Sequence, residues 1–263
     1  MNGAAHYDHY VAPFVRPYTA ATLAALADCE PRHVLDHGAG TGAVTGAFHQ
    51  RFPACQVTAV DPNASMLERF GRHPNIDPRR VAVVCGTIAD VDDAARFDAI
   101  CSQLVFMFVS DVSAELRRLR YHAADDARLV VSVLRGATDV IPFAAYWNAA
   151  ASVIPGLLDA PDYPHFRFAD SAGLGHAIEH AGWAPPELTT VTSWREIEGE
   201  ELWTWIHGAL PLLDASGVAL GALSDSTRTE VRHAFLGEVA RYAERANRYR
   251  LPLHGWQFTS RAI

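Results

Sequence analysis

The segment His33-Val34-Leu35-Asp36-His37-Gly38-Ala39-Gly40-Thr41-Gly42 limits the folds open to this chain more than any other. A short apolar run ends in an acid and breaks at once into alternating glycines. A second run, Val57-Thr58-Ala59-Val60, ends in another acid, Asp61. Glycines after one strand and a carboxylate after the next are how an open α/β sheet holds an adenosine-type ligand at the carboxyl ends of its strands.

The remaining elements fit that frame. Pro17 to Asp28 reads as a helix on its Ala/Leu pattern. Strand one is expected at 33–37, then a helix with Val44, Phe48 and Phe52 on one face. Strand two is expected at 56–60, and Asn63 is placed to cap a helix carrying Met66, Leu67 and Phe70. Strands three, four and five fall at 81–85, 98–103 and 129–134, with a helix at 112–123 that turns Leu116 and Leu119 inward. Past Leu134 the rhythm changes, and 136–168 is rich in Pro, Ala and aromatics without a strand pattern. Asp170 caps a further helix with Leu174 and Ile178 inward, and Gly182 ends it. A sixth strand is expected at 187–195 and a helix at 199–212. A capping box, Thr227 to Glu230, opens a helix over 227–245, and a last strand covers 256–260.

Short apolar strands alternating with amphipathic helices specify an α/β fold, a doubly wound, mostly parallel seven-stranded sheet covered on both faces. The C-terminal insertions are expected to form a helical cap. The whole chain, 1–263, reads as one domain. It comprises an N-terminal cover segment and helix (1–30), a cofactor-binding half (31–135), and cap insertions with the last strands (136–263).

Asp36 narrows the ligand. A pyrophosphate repels a carboxylate at that position, whereas S-adenosylmethionine has no phosphate and carries a sulfonium and an ammonium. The glycine spacing Gly38-x-Gly40-x-x-Ala43 also fits a dinucleotide site, with Asp61 at the usual distance of ~20 residues. Asp36 and the continuation Pro62 to Met66 favour the sulfonium cofactor. A net charge of −8 repels nucleic acid. Four cysteines, Cys29, Cys55, Cys85 and Cys101, form no C-x-x-C pair and read as small core residues, Cys85 and Cys101 within buried strands. Met1 to Arg16 lacks a secretory pattern, and no apolar run approaches the ~18 residues that would span a membrane. A cytoplasmic protein without membrane contact is the expectation.

Asp36-His37-Gly38-Ala39-Gly40-Thr41-Gly42 resembles the first motif of class I S-adenosylmethionine-dependent methyltransferases of the small-molecule type. Asp61-Pro62-Asn63-Ala64-Ser65-Met66-Leu67 resembles their second motif. Phe97-Asp98-Ala99-Ile100 into Ser102-Gln103-Leu104 is similar to their fourth-strand segment, and Ala181-Gly182-Trp183 to a late helix–strand junction. The strong matches cover about 30–135. The resemblance implies S-adenosylmethionine as cofactor. It puts the backbone of Gly38, Ala39 and Gly40 under its methionine part, Asp36 on the ammonium and Asp61 on the ribose hydroxyls. Pro62 and Met66 then pack on adenine and ribose, Thr87 and Ile88 meet the adenine edge, and Gln103 and Leu104 line the floor. Two residues depart from the family pattern. His37 replaces an aliphatic residue and is expected to be packed or hydrogen-bonded. Thr87 stands where an acid is common, which leaves adenine recognition to its hydroxyl, to Asp90 or to backbone.

The acceptor is expected to be a small apolar or aromatic molecule, in the biosynthesis of a specialised metabolite. Strand four continues Ser102-Gln103-Leu104-Val105 and lacks the Asn/Asp-Pro-Pro-aromatic sequence used on base or amide nitrogen. No acid cluster of the metal-dependent type follows it, so no metal is expected. All six tryptophans (Trp147, Trp183, Trp194, Trp203, Trp205, Trp256) lie in the second half, with Phe143, Tyr146, Tyr163, Phe166 and Phe168. They line the acceptor site or pack the cap's own core. His9, Tyr10 and His165 are the candidates for a general base. Two other readings stay open: a protein of this fold that binds the cofactor but performs another reaction such as cyclisation, and a nicotinamide-dependent oxidoreductase. A homodimer is compatible with the sequence.

Overall fold

The computed structural model describes residues 7–9, 11–136, 139–154, 167–168, 170–213, 224–245 and 247–263, with backbone alone for 207–213. Strands β1 (His33–His37), β2 (Gln56–Asp61), β3 (Val81–Cys85), β4 (Phe97–Gln103), β5 (Ala123–Leu134), β6 (Glu187–Glu198) and β8 (Arg248–Arg261) form one sheet in the order β3-β2-β1-β4-β5-β8-β6. The short β7 (Ala243–Arg245) pairs with the start of β8. The first five strands of that order are parallel, and β8 runs antiparallel to both β5 and β6. Among the described residues, no helix is long and apolar enough to cross a membrane.

Alternation along the central strands sorts the core into two layers. On one face, Val34, Cys101 and Val130 pack with Leu26, Val44 and Phe48 from helices α1 (Ala12–Ala25) and α2 (Ala43–Arg51) and the turn after α1. On the other, Leu35, Ile100 and Val131 meet Leu116 and Leu119 of α4 (Val112–His122) and Leu174 and Ile178 of α6 (Ser171–His180). The short helix α3 (Ala64–Phe70) follows β2, capped by Asn63, whose side-chain oxygen accepts from Ser65 N and Met66 N. Helices α5 (Ile141–Val153), α7 (Gly199–Leu213) and α8 (Asp225–Val239) build a third apolar cluster with α1 and the free end of β8, around Phe14, Tyr146, Trp205, Phe235 and Leu251.

Several boundaries differ from expectation. Helix α1 starts at Ala12 and carries Pro17 inside it. Phe14, Val15 and Tyr18 extend its buried stripe toward the N-terminus, and their burial outweighs a missing N–H in the second turn. Helix α8 is capped by Ser224, whose hydroxyl accepts from Thr227 N, and not by a Thr227 box. It ends at Val239, and the chain then makes a 3-10 turn into β7. Strands β5 and β8 begin earlier than their apolar runs, at Ala123 and Arg248. Cys85 is exposed, because β3 is an edge strand. All four cysteines are free thiols.

Candidate cofactor and acceptor site

The carboxyl ends of β1, β2 and β4 meet at the glycine turn. Gly38 N and Ala39 N both donate to Val60 O, at 2.8 and 3.0 Å, which pins the turn to β2. Gly38 (φ +74°) faces Val105, and a Cβ there would lie 2.2 Å from Val105 Cγ2. Gly40 (φ +55°) looks into open space, where a Cβ would meet only Gly38 O at 4.0 Å. The first glycine is thus demanded by packing and the second keeps a cradle clear. Ala39 packs inward on Ala59 and Phe70.

Two acids flank this cradle. Asp61 Oδ2 accepts from Gly40 N at 2.8 Å and Oδ1 from Asn63 N at 2.8 Å. Each carboxylate oxygen has two lone pairs, so both keep capacity for a diol. Asp36 is fully buried, and its Oδ2 accepts from Thr45 N (3.1 Å) and Thr45 Oγ1 (2.6 Å). Burial pushes its pKa up to about 6, against the opposing pull of Thr45 and His37, and Asp61 adds repulsion. A buried acid held in this way gains from a nearby cation. Thr45 was not singled out from the sequence. A hydroxyl in the first turn of the helix after the glycines, on the face toward Asp36, was the available signal.

The segment at 7–9 covers the same edge. Asp8 accepts from Arg69 Nε at 2.8 Å, which ties the segment to α3. Burial pushes the Tyr7 phenol up to about 12, helped by the charges of Asp8, Asp61 and Asp36. His9 is exposed on this segment and, among the described residues, lines neither cavity at this edge. Tyr10 and His165 lie outside the described residues.

Two cavities open beside the turn. The larger, about 360 Å³, has almost wholly apolar walls, including Phe14, Met66, Leu104, Met107, Phe143 and Leu253, with Tyr7 and Tyr18. No charged side chain lines it among the described residues. The smaller, about 260 Å³, is walled by Pro62, Gly86, Thr87 and Val105 and closed by His37 and Glu115. Phe108 stands between them and borders both.

The other expected site residues fall around these cavities. Thr87 caps a 3-10 turn at 88–90, and Asp90 Oδ2 accepts from both Thr87 N (2.8 Å) and Thr87 Oγ1 (3.2 Å). The Ile88 side chain points into the sheet core, so only its backbone is available at the edge. Gln103 Oε1 accepts from Thr19 Oγ1 at 3.0 Å. Leu104 adopts a left-handed backbone (φ +57°), a strained conformation for a leucine, and its N–H donates to Ser132 O. His37 is hydrogen-bonded through both ring nitrogens, to Ser102 Oγ and Glu115 Oε1. Glu115, which was not singled out from the sequence, borders the smaller cavity.

The C-terminal aromatics mostly pack elsewhere. Trp183 is buried and donates Nε1–H to Leu116 O. Trp194 is exposed beneath the Arg250 guanidinium, and Trp256 sits under Arg135. Tyr146, Trp203 and Trp205 belong to the cap core, and Phe168 to the sheet core. Tyr163 and Phe166 lie outside the described residues. Among the described residues, Phe143 is the one of these aromatics that lines the larger cavity, whose other described rings come from the N-terminal segment, α1 and the loop after β4.

A family model described as a methyltransferase domain matches residues 34–126. Malonyl-[acyl-carrier protein] O-methyltransferase of Geobacter sulfurreducens is 29% identical over 191 residues, 71% of this chain and 68% of the relative. That of Priestia megaterium is 29% identical over 86 residues, 33% of this chain and 31% of the relative. The chain spans between about a third and a half of the length of the first curated relatives it matches. A crystal structure of a putative methyltransferase from Bacillus halodurans shares the fold at a TM-score of 0.59 and 15% identity, covering 92% of this chain and 97% of that one. Over residues 34–126, which carry the acid-glycine turn, the second acid and the start of the parallel sheet, the chain is similar to methyltransferase domains, and its fold is that of the Bacillus halodurans structure.

Proposed function

We propose that this chain binds S-adenosylmethionine across the Gly38–Gly42 turn and transfers its methyl group to a small, apolar or aromatic acceptor in the larger cavity. The observation that carries the reading is the pair of acids on either side of an open glycine cradle. Asp61 retains lone pairs for two ribose hydroxyls. Asp36, buried and with its pKa raised, is suited to an ammonium held directly or through water. Gly40 leaves room for backbone to pass close under the ligand. The larger cavity, without a charged wall residue among those described, fits an uncharged acceptor. The relatives named above act, by their names, on a malonyl group carried by a protein. The apolar walls here favour a different acceptor.

Bound in this way, the cofactor supplies a methyl group on a positively charged sulfur, which is already an activated leaving group. The chain's own residues then have two tasks. Leu104, Met107 and Phe108 wall the acceptor and keep water from the transfer path, while the strained Leu104 turn fixes the floor. Tyr7, held over the edge through Asp8 and Arg69, covers the site. Alignment of two reactants in such a cavity accounts for much of the rate of a displacement. The reading assigns no general base to His9, Tyr10 or His165, and it treats 1–263 as one functional unit.

The test is a calorimetric titration with S-adenosylhomocysteine over a pH series, with NAD as control. The ligand's ammonium stabilises ionised Asp36, so binding near pH 6 releases protons. Affinity is expected to be full above that value and to fall as pH drops through about 6. Binding of NAD instead, or no binding of S-adenosylhomocysteine at any pH, rejects the reading.

A further inference from the structure

The smaller cavity contains an acid that the cofactor reading leaves unused. Glu115 stands in the first turn of α4, where a carboxylate is favoured by the helix dipole. Its side chain is only 21% exposed. Oε1 lies 2.7 Å from His37 Nε2, and His37 Nδ1 lies 2.9 Å from Ser102 Oγ. Both His37 and Ser102 are buried. A carboxylate only accepts, so His37 Nε2 carries the hydrogen. The Ser102 hydroxyl donates to Nδ1 when the ring is neutral and accepts from it when the ring is protonated. The chain therefore holds Glu115 in either state. Glu115 Oε2 has no hydrogen-bond partner among the described residues.

A purine needs flat apolar walls and, at its edge, an acceptor for the exocyclic amine. Pro62, Val105 and Phe108 provide the walls of this cavity, whereas the larger cavity has no charged acceptor among its described wall residues. Asp90 is turned into its own loop by two bonds from Thr87 and does not line the cavity. Glu115 is the remaining carboxylate on the wall. Resting on the cofactor reading above, we propose that Glu115 accepts the adenine amine, with His37 and Ser102 as the residues that position it. His37, which departs from the aliphatic residue usual at its place, would thus be coupled to an acid brought from α4 to the base.

An ionised carboxylate at that point favours an amine and rejects an oxo group, which would put two acceptors face to face. Calorimetry should compare S-adenosylhomocysteine with S-inosylhomocysteine, in which oxygen replaces the amine. Wild-type protein is expected to prefer the adenine ligand by about tenfold or more. In Glu115→Gln the His37 N–H holds the amide oxygen and turns the NH2 toward the base, so the preference should fall to about one or invert. Glu115→Ala should lose the preference without gaining the reverse one. A purely structural role for Glu115 would weaken both ligands alike and leave their ratio intact. An unchanged ratio in both variants, or a wild-type preference below about twofold, overturns the proposal. Failure of wild-type protein to bind either ligand would instead defeat the cofactor reading.

Discussion

The two ends of the sheet are built on different rules. Strands β1, β2 and β4 have 5, 6 and 7 residues, run parallel and stop at one edge. Strands β5, β6 and β8 have 12, 12 and 14 residues and are joined by antiparallel pairing. Strand β8 pairs with β5 only from Gly255 to Arg261, but with β6 from Arg248 to Thr259. Its first half therefore leaves the parallel sheet behind and becomes a support for the cap helices. The short end gathers acids and backbone N–H groups in loops, where a polar ligand finds partners. The long end contributes walls: Leu253 from the β8 extension, Leu134 from the tip of β5, Phe143 from α5.

If that division is real, the two ends should respond separately to damage. The largest effect is expected from Phe235→Ala, which empties the centre of the cap cluster. Phe235 is fully buried against Tyr146 and Trp203. The loss should be about 3–5 kcal/mol in denaturant unfolding. S-adenosylhomocysteine affinity of the folded fraction should stay within about twofold. A parallel collapse of that affinity would show that the cap and the glycine edge form one cooperative unit.

A smaller effect sharpens the comparison within the short end. Gly38→Ala meets Val105 and a left-handed backbone together, and should cost about 2–3 kcal/mol of stability as well as binding. Gly40→Ala shares the backbone strain but meets no side chain, so about 1–2 kcal/mol is expected. Its ligand affinity should nevertheless fall at least as far as that of Gly38→Ala, because its Cβ would enter the cradle. Equal stability losses for the two variants would remove the distinction between a packing glycine and a ligand glycine.

The same division explains what the sequence made legible. At the short end the signals are local: Asp36, Gly38, Gly40 and Asp61 lie in runs whose acids end apolar strands, and Asn63 caps the helix that its position indicated. At the long end the deciding partners are far apart in sequence. Arg248, Arg250 and Pro252 interrupt any apolar pattern, yet they are strand because β6 pairs with them, Glu198 with Arg248 and Trp194 with Pro252. The helix pattern over 227–245 continued through Tyr242, which does pack on the cap core, although the chain there has already left the helix. Glu115 was hidden for a related reason. It lies 78 residues from His37, and only the adjacency of β1 and the helix after β4 brings the two together.

The smallest expected effect concerns the joint between the two ends, where Tyr18 of α1 packs against Gly255 of β8. A Cβ on Gly255 would lie 2.4 Å from Tyr18 Cε1 and 2.5 Å from its oxygen, so the strand glycine is what admits the ring. The Tyr18 hydroxyl is buried without a hydrogen-bond partner among the described residues, and burial raises its pKa well above the usual phenol range. A buried, unbonded hydroxyl is a cost to folding, so Tyr18→Phe should raise stability by about 0.5–1 kcal/mol. That gain should appear as a higher denaturant midpoint with an unchanged slope. A loss of stability would mean that the hydroxyl has a partner, and the larger cavity would then be polar at its floor. In that case the apolar character assigned to the acceptor would have to be revised before any substrate is tried.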